Sequence, residues 1–136
     1  MAAQEPSLLF VCVENAGRSQ MAEAFARNLG LEAFSAGTLP PASVNPLVIQ
    51  AMRERGIDLS ASRPKVLTTE MINKASTVVT MGCSVEEACP RPMLARMQKK
   101  LVEWDLEDPK GKPIEAVRRV RDEIERKVGE LALTVR

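Results

Sequence analysis

The chain contains no histidine. That absence removes every Ser-His and Cys-His nucleophile pair and the commonest zinc ligand. Tyrosine is missing too, and aromatic residues make up 3% of the chain, so stacking platforms for bases or aromatic substrates are scarce. There is no excess of charge of either sign: 19 Lys and Arg face 18 Asp and Glu, a formal net charge of +1. Such a balance leaves no electrostatic footprint for nucleic acid or an anionic membrane. No apolar run approaches the ~20 residues of a membrane helix, and the N-terminal Met1-Ala2-Ala3-Gln4-Glu5-Pro6 lacks the basic stretch of a secretory signal. The expectation is a cytoplasmic protein with neither nucleic-acid nor membrane partners.

What is present fits one domain, residues 1–136, of 45% hydrophobic content. A chain of this length buries about two thirds of its unfolded surface and needs no disulfide staples. Its three cysteines, Cys12, Cys83 and Cys89, are an odd number, which suits reactive or incidental thiols better than a disulfide framework. Zinc held by the three thiolates would lack the usual C-x2-C pair, and no metal or cofactor is expected.

Ser7 to Cys12 is a short apolar run, the pattern of a strand buried on both faces. Gln20 to Leu29 reads as a helix ended by Gly30, and Glu32 to Ser35 as a second strand stopping at Ala36-Gly37. Asn45-Pro46 is an N-cap followed by proline at the first helical position, and that helix runs to Gly56. A short helix over Thr68–Lys74, strands at Thr77–Thr80 and Lys100–Trp104, and a turn over Glu107–Pro113 follow. Ile114, Val117, Val120, Ile124, Val128 and Leu131 then form one apolar stripe at helical spacing, with the charges predicted to face solvent. Strands alternating with helices predict a small doubly wound α/β sandwich with a four-stranded parallel sheet.

In such sheets ligands sit beyond the C-terminal strand ends, where strand order reverses. The segment there is Cys12-Val13-Glu14-Asn15-Ala16-Gly17-Arg18-Ser19, of the form C-x5-R-S. A loop of this length between strand and helix can converge its backbone N–H groups into a nest for a tetrahedral oxyanion. Val13, Glu14, Asn15, Ala16, Gly17, Arg18 and Ser19 would form it, with Arg18 adding a bidentate fork. Cys12 would sit beneath the anion, placed for in-line attack. An isolated thiol is only about 3% thiolate at neutral pH. Without histidine, its activation falls to the helix N-terminus, the nest, Arg18 and the Ser19 hydroxyl. A cysteine at a strand end also occurs simply as a small buried hydrophobe.

The stretch Leu9–Cys12 through Arg18-Ser19-Gln20-Met21-Ala22-Glu23 resembles the arsenate reductases of the low-molecular-weight tyrosine phosphatase superfamily. The likeness continues through Phe34-Ser35-Ala36-Gly37, Val44-Asn45-Pro46, Val78-Val79-Thr80 with the two later cysteines, Trp104 to Pro109, and Val120 to Ile124. It covers nearly the whole chain. The resemblance implies the phosphatase-like fold and arsenate as substrate; the nest predicts phosphate or sulfate as competing oxyanions, and a monomer is expected. The resemblance also implies a relay: Cys12 attacks arsenate, Cys83 attacks the adduct and releases arsenite, and Cys89 resolves the Cys12–Cys83 disulfide. Thioredoxin would then reduce Cys83–Cys89. Five residues separate those two cysteines, where thioredoxin-coupled members usually have six, so a mycothiol- or bacillithiol-type donor is the alternative.

The rival activity is phosphate monoester hydrolysis. Asp108 before Pro109 matches the family's acid-loop aspartate, but Lys110-Gly111 stands where the phosphatases carry aromatics. A non-catalytic oxyanion-binding regulator is a third possibility, opposed by the presence of Cys12, Arg18 and Asp108 together. The resemblance further assigns Asn15 and Ser35 to supporting the loop. Members stimulated by potassium use these with Glu23 and an acidic residue, where this chain has Lys65; potassium independence is therefore expected.

Overall fold

Leu8, Leu9, Phe10 and Val11 have no solvent exposure, and burial of this kind places their strand at the middle of the molecule. Each such side chain contributes about 1.5–3 kcal/mol when fully buried, and a parallel sheet offers that to a strand covered on both faces. In the computed structural model, which describes residues 7–81 and 101–135, this strand is β1, Ser7–Cys12. On one side it pairs with β2 (Glu32–Gly37), on the other with β3 (Thr77–Met81), and β3 pairs with β4 (Leu101–Trp104). All pairings are parallel and the order is β2-β1-β3-β4. This is the four-stranded doubly wound sheet that the sequence predicts.

Alternation along β1 splits the core. Leu8 and Phe10 join the layer of α1 (Arg18–Asn28), α2 (Pro46–Arg53) and α4 (Ile114–Val135), with Met21, Val48 and Ile124. Leu9 and Val11 face the other way, onto Ile72 of α3 (Thr69–Lys74) and Leu67. Local chemistry starts the helices as expected. Asn45 Oδ1 accepts from the Leu47 N–H with Pro46 in the first turn, and Thr68 Oγ1 accepts from the Met71 N–H.

Three sequence expectations need correction. The first helix begins at Arg18 rather than Gln20, because the Gly17 carbonyl already accepts from the Met21 N–H at 3.0 Å. The second strand runs to Gly37 rather than Ser35, since Cys12 pairs with Gly37 and the Gly37 N–H and C=O bond to Lys65 O and the Leu67 N–H. Arg121, read as part of a solvated face, is 6% exposed. Its guanidinium donates to the Ala51 carbonyl and to the carboxylates of Glu54 and Asp122, so it ties α4 to α2. Cys83 and Cys89, with the segment from 82 to 100, lie outside the described residues. Among the described residues no helix is long and apolar enough to cross a membrane.

Candidate active site

β1 ends at Cys12 and α1 begins at Arg18, so the loop 13–17 turns at the C-terminal edge of the sheet where β2 and β3 flank β1. The Cys12 side chain is buried and points its sulfur at two polar groups. The Asn15 N–H donates to Sγ at 3.1 Å, and Ser19 Oγ lies 2.9 Å away. Asn15 Nδ2 donates to the same Ser19 oxygen at 2.7 Å, which leaves the hydroxyl proton free to be donated to an anionic sulfur.

Asn15 is the organiser of this loop. It is fully buried with φ 56°, a left-handed conformation that asparagine adopts more readily than most residues. Its Oδ1 accepts from Gln20 Nε2 at 3.1 Å and from the Lys65 N–H at 2.9 Å. Gln20 Nε2 also donates to the Arg63 carbonyl, so the loop, the first turn of α1 and the segment before α3 are bound together. Sequence reasoning missed Gln20; its one visible signal was an amide beside a run of buried positions.

β2 presses on the loop from the side. A Cβ at Gly37 would fall 2.7 Å from both Glu14 C and Val13 O, and 2.8 Å from Asn15 N. Only glycine lets the backbones approach this closely. The Val13 carbonyl accepts from the Leu39 N–H at 2.7 Å, securing the same approach.

Arg18 is 8% exposed. Its Nη1 donates to the Leu106 carbonyl at 3.2 Å, and Nη2 lies 3.6 Å from Asp108 Oδ2. The guanidinium therefore spans from its own loop to the loop after β4. Cys12, Arg18 and Asp108 line one cavity of about 580 Å³, with walls that include Val44, Pro46, Leu106 and Pro109. On its rim Lys110 Nζ donates to Glu14 Oε2 at 2.8 Å, and that bond raises the lysine above its usual range. This pair, too, was missed: 96 residues separate its members.

The supporting group lies one layer away. Ser35 Oγ donates to Glu23 Oε1 rather than to the loop, which corrects the contact expected of it. Lys65 Nζ sits 3.5 Å from the same Glu23 oxygen, and Arg27 is 3.3 Å from the other. Lys65 reaches the loop through its backbone N–H on Asn15.

A single strand-to-helix loop carrying a buried thiol and a buried arginine, on a doubly wound parallel sheet, defines a class of α/β proteins built to handle tetrahedral anions. The model of the low molecular weight phosphotyrosine protein phosphatase family matches residues 7–136, and the chain belongs to that family. An arsenate reductase of Brevibacillus brevis is 37% identical over 131 residues, covering 94% of this chain and 95% of that protein. Among solved structures, the YwlE arginine phosphatase from Geobacillus stearothermophilus matches with a TM-score of 0.84 at 29% identity, covering 95% of this chain and 92% of the other. A thioredoxin-dependent arsenate reductase of Corynebacterium glutamicum matches with a TM-score of 0.77 at 35% identity, over 99% of this chain and 64% of that one.

Proposed function

We propose that this protein reduces arsenate to arsenite, with Cys12 as the nucleophile. The observation that carries the reading is the Cys12 sulfur, buried at the cavity beside Arg18 and aimed at by the Asn15 N–H and the Ser19 hydroxyl. Likeness to proteins named as arsenate reductases supports the choice of arsenic chemistry over ester hydrolysis.

In this mechanism the loop 13–17 and the first turn of α1, with the Arg18 guanidinium, hold arsenate as a tetrahedral anion. The Cys12 thiolate attacks arsenic and an arsenate oxygen leaves as water, giving a sulfur–arsenic(V) bond. The Cys83 thiolate then attacks the Cys12 sulfur. A Cys12–Cys83 disulfide forms while the electron pair of the sulfur–arsenic bond stays on arsenic, which leaves as arsenite. Cys89 attacks Cys83, restores the Cys12 thiolate, and leaves a Cys83–Cys89 disulfide for an external dithiol. Thioredoxin is the proposed donor, and the protein is proposed to act as a single domain and a monomer in the cytoplasm. Asp108, beside Arg18 on the cavity, can supply the proton that the departing oxygen requires. Lys65, with its ammonium on Glu23, is proposed to make potassium unnecessary.

Arsenate-dependent NADPH consumption with thioredoxin and thioredoxin reductase tests the proposal. Turnover that requires all three cysteines is the expected result. No consumption with thioredoxin, glutaredoxin or low-molecular-weight thiols, alongside hydrolysis of an aryl phosphate, would favour the second reading, a phosphatase. That reading draws on the match to an arginine phosphatase and on Asp108 as a leaving-group acid.

A further inference from the structure

Gln20, in the first turn of α1, is 2% exposed and does not line the cavity. No step of the mechanism above uses it. Its surroundings nevertheless have a fixed polarity, because a backbone carbonyl can only accept and a backbone N–H can only donate. The Arg63 carbonyl lies 3.1 Å from the Gln20 amide and so demands its nitrogen, Nε2. That same nitrogen is 3.1 Å from the Asn15 side chain, and the Lys65 N–H is 2.9 Å from it. Two hydrogens thus converge on Asn15 from this side and require its oxygen, which leaves Nδ2 for Ser19 Oγ at 2.7 Å. The serine oxygen takes that hydrogen and turns its own proton to Cys12 Sγ, 2.9 Å away.

We infer that Gln20 is a positioning residue for the nucleophile. It sets the direction of a chain of donated hydrogens that starts at the segment 63–65 and ends on the Cys12 sulfur. The inference rests on the proposed role of Cys12 and deepens it, since a thiolate is held by donors and not by acceptors. A carboxyl group at position 20 would reverse the chain. It has at most one hydrogen to offer where the amide has two, and once ionised it has none. Asn15 would then turn Nδ2 toward position 20 and Oδ1 toward Ser19. The serine would donate its proton to Asn15, and the sulfur would keep only the Asn15 N–H of its two described donors.

The test is the pH dependence of Cys12 alkylation by iodoacetamide in the reduced full-length protein, followed by mass spectrometry of the Cys12 peptide. Gln20→Glu should move the midpoint of that profile up by about one pH unit, the scale of one hydrogen bond to a charged group. Gln20→Met removes the donor without adding an acceptor, and should move it the same way by about half as much. Ser19→Ala should raise the midpoint by about one unit on its own. Adding Gln20→Glu or Gln20→Met to Ser19→Ala should raise it no further, because the proton they redirect is already gone. A carboxylate acting on the sulfur through its field alone would still shift the midpoint in the Ser19→Ala background. Such additive shifts, or parental midpoints in both Gln20 variants, overturn the inference. An unmoved midpoint in Ser19→Ala removes the hydroxyl from the activation of Cys12, and the inference with it. A midpoint moved by Ser19→Ala and not by the Gln20 variants removes the inference alone. Thermal melts identify a misfolded Gln20 variant, and the other then decides.

Discussion

Arg18 is held at two points, by the Leu106 carbonyl and by Asp108. Its planar fork is thus set in place, and an ammonium cannot reproduce that geometry. Arg18→Lys should lower kcat/KM for arsenate by about 10²-fold, the usual scale for one lost oxyanion donor. Steady-state kinetics would check this, and near-parental values would remove Arg18 from the anion site. Cys12, Arg18 and Ser19 were legible in the sequence because their chemistry lies within one short segment whose spacing alone suggests a nest. Gly37 and Gln20 were not. The need for glycine at 37 arises from a collision with Val13 and Glu14 on another segment, and Gln20 matters through Asn15 and Arg63. Such requirements come into being only when the sheet has assembled.

Helices α2 and α4 meet through apolar contacts and through a cluster of ions around Glu54. Arg118 Nη2 and Arg121 Nη1 each donate to its carboxylate at 2.7 Å. Hydrogen bonds from Arg118 and then Arg121 hold Glu54 at about 2, against an ordinary 4.5. The folded state therefore binds this proton less readily than the unfolded chain. The stabilisation is complete above about 4.5 and fades as pH falls toward and through about 2. Glu54→Gln should lower the urea midpoint at pH 7, and the difference from the parent should shrink progressively below pH 4.5. Equal midpoints at pH 7 would mean that the half-exposed cluster is screened to no net effect. Helix α4 was readable from the stripe that includes Val117, Val120, Ile124 and Val128, all of them buried, and α2 from its Asn45-Pro46 start. Arg121 escaped that reading because helical periodicity marks a position's direction, and an arginine can bury its stem while its head finds carboxylates.

At the scale of the whole molecule the proposed relay would impose an order of events on three thiols. Reduced Cys89→Ser protein given one equivalent of arsenate should stop at a Cys12–Cys83 disulfide, whereas the parent protein should finish at Cys83–Cys89. Mass spectrometry of peptides under non-reducing conditions distinguishes them. A Cys12–Cys89 bridge in the parent, or multiple turnover by Cys83→Ser, would contradict the order. The α/β architecture was legible because β1 and β3 are distinct apolar or β-branched runs and helices with readable starts or stops separate the strands. The pairing of loops across the cavity was not, since it depends on which strand ends become neighbours.

The two sides of the cavity belong to different parts of the fold. Cys12 closes the most deeply covered strand, and Asn15, Arg18 and Ser19 are buried with it. Pro41, Ser43, Pro46 and Lys110 stand on the exposed side. Replacements at exposed positions usually change stability by no more than about 0.5 kcal/mol, while those in a packed core cost several times more. The outer wall is therefore free to drift in sequence while the inner wall is pinned by folding itself. A pocket divided in this way is evolvable: a lineage can exchange one anionic substrate for another by rewriting surface loops, without putting the nucleophile at risk.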